Sequence, residues 1–94
     1  MSIAYSKYAE QELLDAIDFY ECEHTGLGRE FKAEVKQASI RISNHPLAWS
    51  VEQGDIRKCL LHKFPYKILY SIEANDIFVI AIAHQHRKPD YWQS

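Results

Sequence analysis

Residues 66–83, YKILYSIEANDIFVIAIA, decide the fold. Large apolar side chains occupy every second position from Tyr66 to Ile72, and this period of two predicts a β-strand. The intervening positions include Lys67 and Leu69, which we expect on the outward face of the sheet because they have the opposite parity. One face of this strand is therefore predicted to pack on a core, and the other to be open.

Further strands are predicted on both sides of this segment. Ala74-Asn75-Asp76 predicts a tight turn, and the apolar run Ile77–Ala83 is typical of a central strand covered on both faces. Upstream, Trp49 and Val51 indicate a short strand, and a longer one is predicted from residue 56 to 63. These segments form an antiparallel meander.

The first half of the chain has a helical period instead. A short strand with Ile3 and Tyr5 is predicted to end at Ser6, a residue suited to cap the helix predicted over residues 7–23. The TGLG stretch at residues 25–28 breaks this helix and starts a second, which ends at Asn44-His45-Pro46 because proline disfavours helical geometry in the residue before it.

The apolar stripes of the two helices predict the core. We expect six side chains to interlock between the helix hairpin and one sheet face: Leu13, Ile17, Tyr20, Phe31, Val35 and Ile42. The predicted fold class is α+β, with an N-terminal strand and an α-helical hairpin packed on one face of a small twisted antiparallel sheet. A chain of 94 residues has room for one such domain, residues 1–94.

Composition excludes several classes of protein. Apolar residues make up 47% of the chain and charged residues 26%, as in an ordinary globular domain, and no apolar stretch approaches the length of a membrane span. The net charge of -2 argues against binding nucleic acid by charge alone. Two cysteines without C-x-x-C spacing are typical of free thiols in a reducing cytoplasm, where we expect the protein.

Positive charge nevertheless concentrates in the second half. Residues 57–67 contain no acidic residue and five that are basic or titrate near neutrality: Arg57, Lys58, His62, Lys63 and Lys67. His84 and His86 lie two apart on the last strand, where they could move a proton, but a metal site would need a third ligand. We therefore expect a positive surface and neither metal nor cofactor.

Several of these motifs resemble one family. Ile56-Arg57, the strand Tyr66-Lys67-Ile68-Leu69-Tyr70 and the terminal stretch HQHRKPDYW at residues 84–92 resemble the RelE/ParE toxins of bacterial type II toxin–antitoxin operons. The resemblance covers nearly the whole chain, and it extends to Phe19-Tyr20 and to Gly26-Leu27-Gly28 in the helix hairpin. It implies a cognate antitoxin protein that wraps the toxin.

The resemblance leaves two activities open, and a toxin homologue that lacks intrinsic toxicity is the third alternative. RelE-like members cut mRNA on the ribosome with basic residues of the sheet and last strand, whereas ParE-like members are linked to inhibition of DNA gyrase. If the chain is a nuclease, the resemblance implies the catalytic residues Arg57, Lys67, His84, Arg87 and Tyr91. Lys67 stands where the nuclease branch has arginine and cannot hold phosphate bidentately, so we favour the gyrase-directed branch, a protein-binding toxin and no enzyme.

Two surfaces are predicted on this basis. The target, DNA gyrase or alternatively the ribosome and mRNA, would be bound by Arg57, Lys67, His84, His86, Arg87 and Trp92. Tyr8, Phe19 and Ile40 lie away from the main helical stripes, and we expect them to line a groove for an amphipathic antitoxin segment. No membrane partner is expected.

Overall fold

The computed structural model describes residues 2–86 as two helices on one sheet. The elements in chain order are β1 (Ile3–Tyr5), α1 (Lys7–Glu23), α2 (Leu27–Asn44), β2 (Val51–Gln53), β3 (Ile56–Leu60), β4 (Tyr66–Glu73) and β5 (Asp76–His84). The strand order is β1-β5-β4-β3-β2. The predicted α+β fold is confirmed, with one difference in strand direction: β1 pairs parallel with β5, so the five-stranded sheet is mixed. No tight turn joins these two strands, so local sequence does not set their relative direction.

The first helix begins where its capping residue predicts. Ser6 has extended backbone geometry, and its side-chain oxygen accepts a hydrogen bond of 2.9 Å from the Ala9 amide. This bond satisfies one of the N–H groups that the first turn of a helix leaves without a partner. The predicted bounds of α1 and the predicted end of α2 before Pro46 are both confirmed.

The turn between the helices depends on Glu21. Its two carboxylate oxygens accept hydrogen bonds from the Gly26 amide at 2.9 Å and the Gly28 amide at 3.0 Å. The bond from Gly26 is the main reason that the pKa of Glu21 is lowered from its ordinary value. Gly26 itself has a φ of 91°, which favours glycine. A charged side chain of α1 thus caps the start of α2.

Gly28 is required because the two helices approach closely there. A Cβ at this position would lie 2.5 Å from the Ile17 carbonyl oxygen. We expect Gly28→Ala to lower the free energy of unfolding by about 1–3 kcal/mol in urea denaturation, because the helices must move apart. Gly54→Asn is the control, since no atom lies within 4 Å of a Cβ at Gly54 and asparagine tolerates its φ of 55°. Equal losses in both variants would contradict this close approach.

The core lies between the hairpin and one sheet face, as predicted. Phe31, Val35 and Ile42 are buried, and Leu13, Ile17 and Tyr20 pack against the same cluster. Aromatic rings form its centre, because the Phe31 ring centroid lies 5.3 Å from Tyr20, 5.0 Å from Phe64 and 5.1 Å from Tyr66. The prediction that these six side chains interlock is confirmed.

Strand β3 is shorter than predicted. It ends at Leu60 and not at Lys63, because the Glu34 carboxylate of α2 accepts hydrogen bonds from the backbone amides of His62 and Lys63. These amides are therefore unavailable to a neighbouring strand. A helix side chain, and not the strand's own sequence, sets this boundary.

The edge of β5 is covered differently along its length. Strand β1 pairs with β5 only as far as Val79, and Ile80 is the extra residue of a bulge opposite β4. Beyond that point, the Ser6 hydroxyl donates to the Ile80 carbonyl at 2.9 Å, and the Glu12 carboxylate accepts from the Ile82 amide at 2.7 Å. Side chains thus replace the missing strand.

Candidate functional site

The sheet face opposite the helices holds an ionic cluster of three residues. The Lys67 ammonium group lies 2.6 Å and the Lys58 ammonium group 3.2 Å from the carboxylate of Glu52. Glu52 is the extra residue of a bulge in β2, and bulges often redirect a side chain. Burial raises the pKa of Glu52, but the hydrogen bonds and charges of Lys67 and Lys58 outweigh it and hold that pKa below its ordinary value.

The expected exposure of this face is wrong at two positions. Lys67 and Leu69 were expected to face outward, yet Lys67 is 4% exposed and Leu69 is fully buried. Alternation correctly places both on the face opposite the helices, because Ile68 and Tyr70 belong to the helix-side core. Alternation alone cannot show whether the face opposite the helices is buried. On that face the Glu52 carboxylate neutralises the charge of Lys67.

Arg57 lies on the helix side of the sheet, opposite to the face that holds the ionic cluster. It stands directly opposite Tyr70 in the pairing of β3 with β4, so it shares the helix-side face. Its guanidinium group donates a hydrogen bond of 2.6 Å to the Trp49 carbonyl, and the Tyr70 hydroxyl donates one of 2.6 Å to the Pro46 carbonyl. Both side chains hold the segment between α2 and β2 on the sheet.

His84 lies at the far end of the sheet from Arg57. It stands opposite Tyr66, and their ring centroids are 5.7 Å apart. His84 lines a cavity of about 290 Å³ together with Phe19, Glu12 and Asp15 of α1. The His86 ring lies 5.4 Å from the His84 ring. The structure brings the two histidines together. Lys67 is next to Tyr66 in β4 but lies on the opposite face of the sheet from His84, and Arg57 pairs with Tyr70, four residues farther along β4.

The other predicted target-binding residues, Arg87 and Trp92, and the candidate catalytic Tyr91 lie outside the described residues. Tyr8, Phe19 and Ile40 are exposed as expected, at 46%, 56% and 47%. They do not share one groove, however. Phe19 lines the cavity at His84, whereas Ile40 lines a separate cavity beside β1.

This second cavity was not predicted from the sequence. It is an open cleft of about 480 Å³ lined by residues of β1, α1 and α2, with Ile3, Tyr5, Leu13, Val35 and Ile40 as its large apolar lining residues. Lys32 and Lys36 also line it, one helical turn apart. The Tyr5 hydroxyl and the Ser39 hydroxyl form a hydrogen bond at its wall. The spacing of Lys32, Lys36 and Ile40, each four residues apart on α2, is the sequence signal that could have indicated this surface.

Two further features bear on function. Within residues 2–86, no three His, Cys, Asp or Glu side chains lie close enough together to hold a metal ion. Neither α1 nor α2 is sufficiently long and apolar to cross a bilayer, and they are the only helices in that part of the chain.

A helix hairpin on a five-stranded mixed sheet is the fold of the RelE/ParE toxins. The family model described as "ParE toxin of type II toxin-antitoxin system, parDE" matches residues 3–89. The chain therefore belongs to the ParE toxin family. No curated protein sequence matches it significantly.

Solved structures share the fold at low sequence identity. A chain of the chromosomal ParDE toxin–antitoxin system from P. aeruginosa is 14% identical with a TM-score of 0.65, and the match covers 89% of this chain and 95% of that one. The isolated E. coli RelE toxin is 18% identical with a TM-score of 0.67, covering 98% and 92%. A chain of the intact E. coli RelBE complex is 18% identical with a TM-score of 0.68, covering 92% and 98%.

Proposed function

We propose that this toxin binds DNA gyrase and inhibits it, and that a cognate antitoxin protein neutralises it in the cytoplasm. The family match to ParE supports the gyrase-directed branch. The similar structures come from a ParDE toxin–antitoxin system and a RelBE toxin–antitoxin complex, which supports an antitoxin partner.

The ionic cluster supports gyrase inhibition over mRNA cleavage. A ribonuclease must stabilise negative charge on a pentavalent phosphate, and it needs cations free to face that group. Here Glu52 lies between Lys58 and Lys67 and is hydrogen-bonded to the buried Lys67 ammonium group. The phosphate would therefore meet a carboxylate on this face. A protein-binding toxin has no such requirement.

Five residues are the proposed contacts with gyrase: Arg57, His84, His86, Arg87 and Trp92. Arginine and tryptophan dominate the energetics of protein interfaces, because they bury large areas and direct hydrogen bonds. Lys67 contributes indirectly in this proposal, since its ion pair with Glu52 holds β2 on the sheet.

The purified chain distinguishes the two activities directly. We expect it to inhibit supercoiling by gyrase and to leave ribosome-bound mRNA uncut. Arg57→Ala should weaken inhibition, whereas Arg29→Ala, at an exposed position of α2, should not. The melting temperature of each variant separates lost binding from a lost fold, because Arg57 also holds the Trp49 carbonyl.

Cleavage of mRNA in place of gyrase inhibition would support the alternative function. Cleavage of mRNA on the ribosome that disappears in Arg57→Ala or Arg87→Ala, with supercoiling unaffected, would make the chain a RelE-like endoribonuclease. Loss of one charge-stabilising group lowers turnover by about 10²–10³ in such an enzyme. Gyrase inhibition without cleavage would exclude this alternative.

A further inference from the structure

A small cleft lies beside Arg57 on the helix-side face of the sheet. Arg57 stands opposite Val51 in the pairing of β3 with β2, so the two side chains share this face. The cleft has a volume of about 180 Å³, and we call it the Arg57 cleft; its lining residues are Leu47, Val51, Gly54, Asp55, Arg57 and Ile72. Small-molecule sites usually measure about 300–1,000 Å³, so this cleft is better suited to one side chain of a partner protein.

The segment that carries Leu47 is held in place by hydrogen bonds to its main chain. The Tyr70 hydroxyl donates to the Pro46 carbonyl and the Arg57 guanidinium group donates to the Trp49 carbonyl, on the two sides of Leu47. Leu47 is nevertheless the most exposed large apolar side chain of residues 2–86, at 70%. Because its main chain is already fixed, a partner that binds here would need to order little of the toxin, which favours affinity.

The lining of the Arg57 cleft indicates the kind of side chain that fits it. Leu47, Val51 and Ile72 offer apolar contact, and the planar guanidinium group of Arg57 can stack on an aromatic ring. Asp55 is exposed and forms no ion pair within residues 2–86, so its carboxylate can accept a hydrogen bond. A carboxylate from a partner would meet Asp55, and a cation would meet Arg57. Tryptophan or tyrosine is neutral and supplies a ring together with an N–H or O–H donor.

We propose that gyrase inserts a tryptophan or tyrosine side chain into the Arg57 cleft, with the ring against the guanidinium group and between Leu47 and Val51. This inference rests on the proposed binding to gyrase, in which Arg57 is already a contact, and it names the feature of gyrase that the toxin recognises. Arginine and aromatic side chains are enriched among the residues that dominate protein interfaces, and such residues tend to pair across the interface. Burial of Leu47 and Val51 in the complex would add to the affinity.

Replacing Leu47 with glutamine tests the apolar side of the cleft. We expect Leu47→Gln to raise the toxin concentration that halves supercoiling by at least about tenfold, because it places a polar group in a buried part of the interface. Leu14→Gln is the matched control, since Leu14 is also exposed but lies on α1 and does not line the cleft. Both variants should melt near the parent temperature. A second variant, Val51→Thr, keeps a β-branched residue in β2 and should also weaken inhibition.

Replacing Arg57 with lysine distinguishes ring stacking from charge alone. Lysine keeps the positive charge but lacks the planar group, so Arg57→Lys should weaken inhibition by about threefold or more at an unchanged melting temperature. In the complex with gyrase, the methyl NMR signals of Leu47 and Val51 should shift upfield, because a ring packed on a methyl group shields it. The methyl signals of Leu14 should not shift. Full inhibition by Arg57→Lys, or methyl signals without an upfield shift, would contradict an aromatic occupant.

The remaining outcomes separate this inference from the function on which it rests. A parent chain that does not inhibit supercoiling contradicts both. Inhibition that is equally strong in the parent, Leu47→Gln and Leu14→Gln keeps gyrase as the target but overturns the assigned cleft. If Leu47→Gln weakens binding of the antitoxin encoded by the adjacent gene and leaves gyrase inhibition intact, the cleft belongs to the antitoxin. Loss of a toxin dimer in Leu47→Gln would assign it to a second copy of this chain, and either result overturns the inference.

Discussion

Replacing Phe31 with alanine is expected to lower the free energy of unfolding by about 3–5 kcal/mol, as for other large core aromatics. Phe31 is fully buried, and its ring contacts the rings of Tyr20, Phe64 and Tyr66. The substitution removes these contacts and leaves a cavity where α2 meets the sheet. A domain of this size has a total stability of only about 5–15 kcal/mol, so the loss is severe.

Phe19→Ala is the matched control for Phe31→Ala. Phe19 is 56% exposed on α1, although its ring also lies 5.2 Å from Tyr20. We expect Phe19→Ala to lower the free energy of unfolding by less than about 1 kcal/mol, because most of this side chain contacts water in the folded protein. Urea denaturation of both variants gives the comparison. An unchanged midpoint for Phe31→Ala would refute the assigned core.

Replacing Glu52 with alanine is expected to lower the free energy of unfolding by roughly 3 kcal/mol, because it removes the carboxylate that pairs with the buried Lys67 ammonium group. The Lys67 ammonium group is 2.6 Å from Glu52, and its side chain is only 5% exposed. Glu23→Ala removes an exposed carboxylate at the end of α1, and its effect should be much smaller. If the two variants unfold at the same urea concentration, the ion pair does not stabilise the fold.

The same ion pair predicts the pH dependence of stability. The pKa of Glu52 is lowered in the folded protein, whereas an unfolded glutamate titrates at about 4.3. The ionised Glu52 therefore contributes fully to the free energy of unfolding above a pH of about 4.3, the unfolded pKa, and this contribution is lost as the pH falls through the lower pKa of the folded protein. Between about pH 6 and pH 3, the parent chain should lose more stability than Glu52→Ala. Parallel losses would contradict the lowered pKa.

The helices could be predicted from the sequence because their signals are local. Ser6 caps α1 directly, and the TGLG turn permits the close approach at Gly28. The stripe that ends at Ile42 places the core side of α2 without reference to any other element. The bounds of both helices follow from these local signals.

The candidate site could be predicted only in part because it depends on contacts between distant residues. Alternation distinguishes the faces of β4, but Lys67 is neutralised by Glu52, which a bulge in β2 directs toward it. Arg57 and Lys67 appear close in a basic stretch of sequence, yet strand pairing places them on opposite faces. The cavity beside β1 likewise requires the parallel pairing of β1 with β5, which no local pattern indicates.

The side chains that cover the end of β5 also affect solubility. Exposed strand edges are templates for aggregation, because their unpaired main-chain groups can bind another chain. Ser6 and Glu12 occupy those groups at Ile80 and Ile82, so this part of the edge cannot recruit a further strand without losing both contacts. The remaining edge at β1 is three residues long, which is too short to stabilise a fibril-like assembly alone. On this side of the sheet, a further chain can therefore pair only with the short edge of β1.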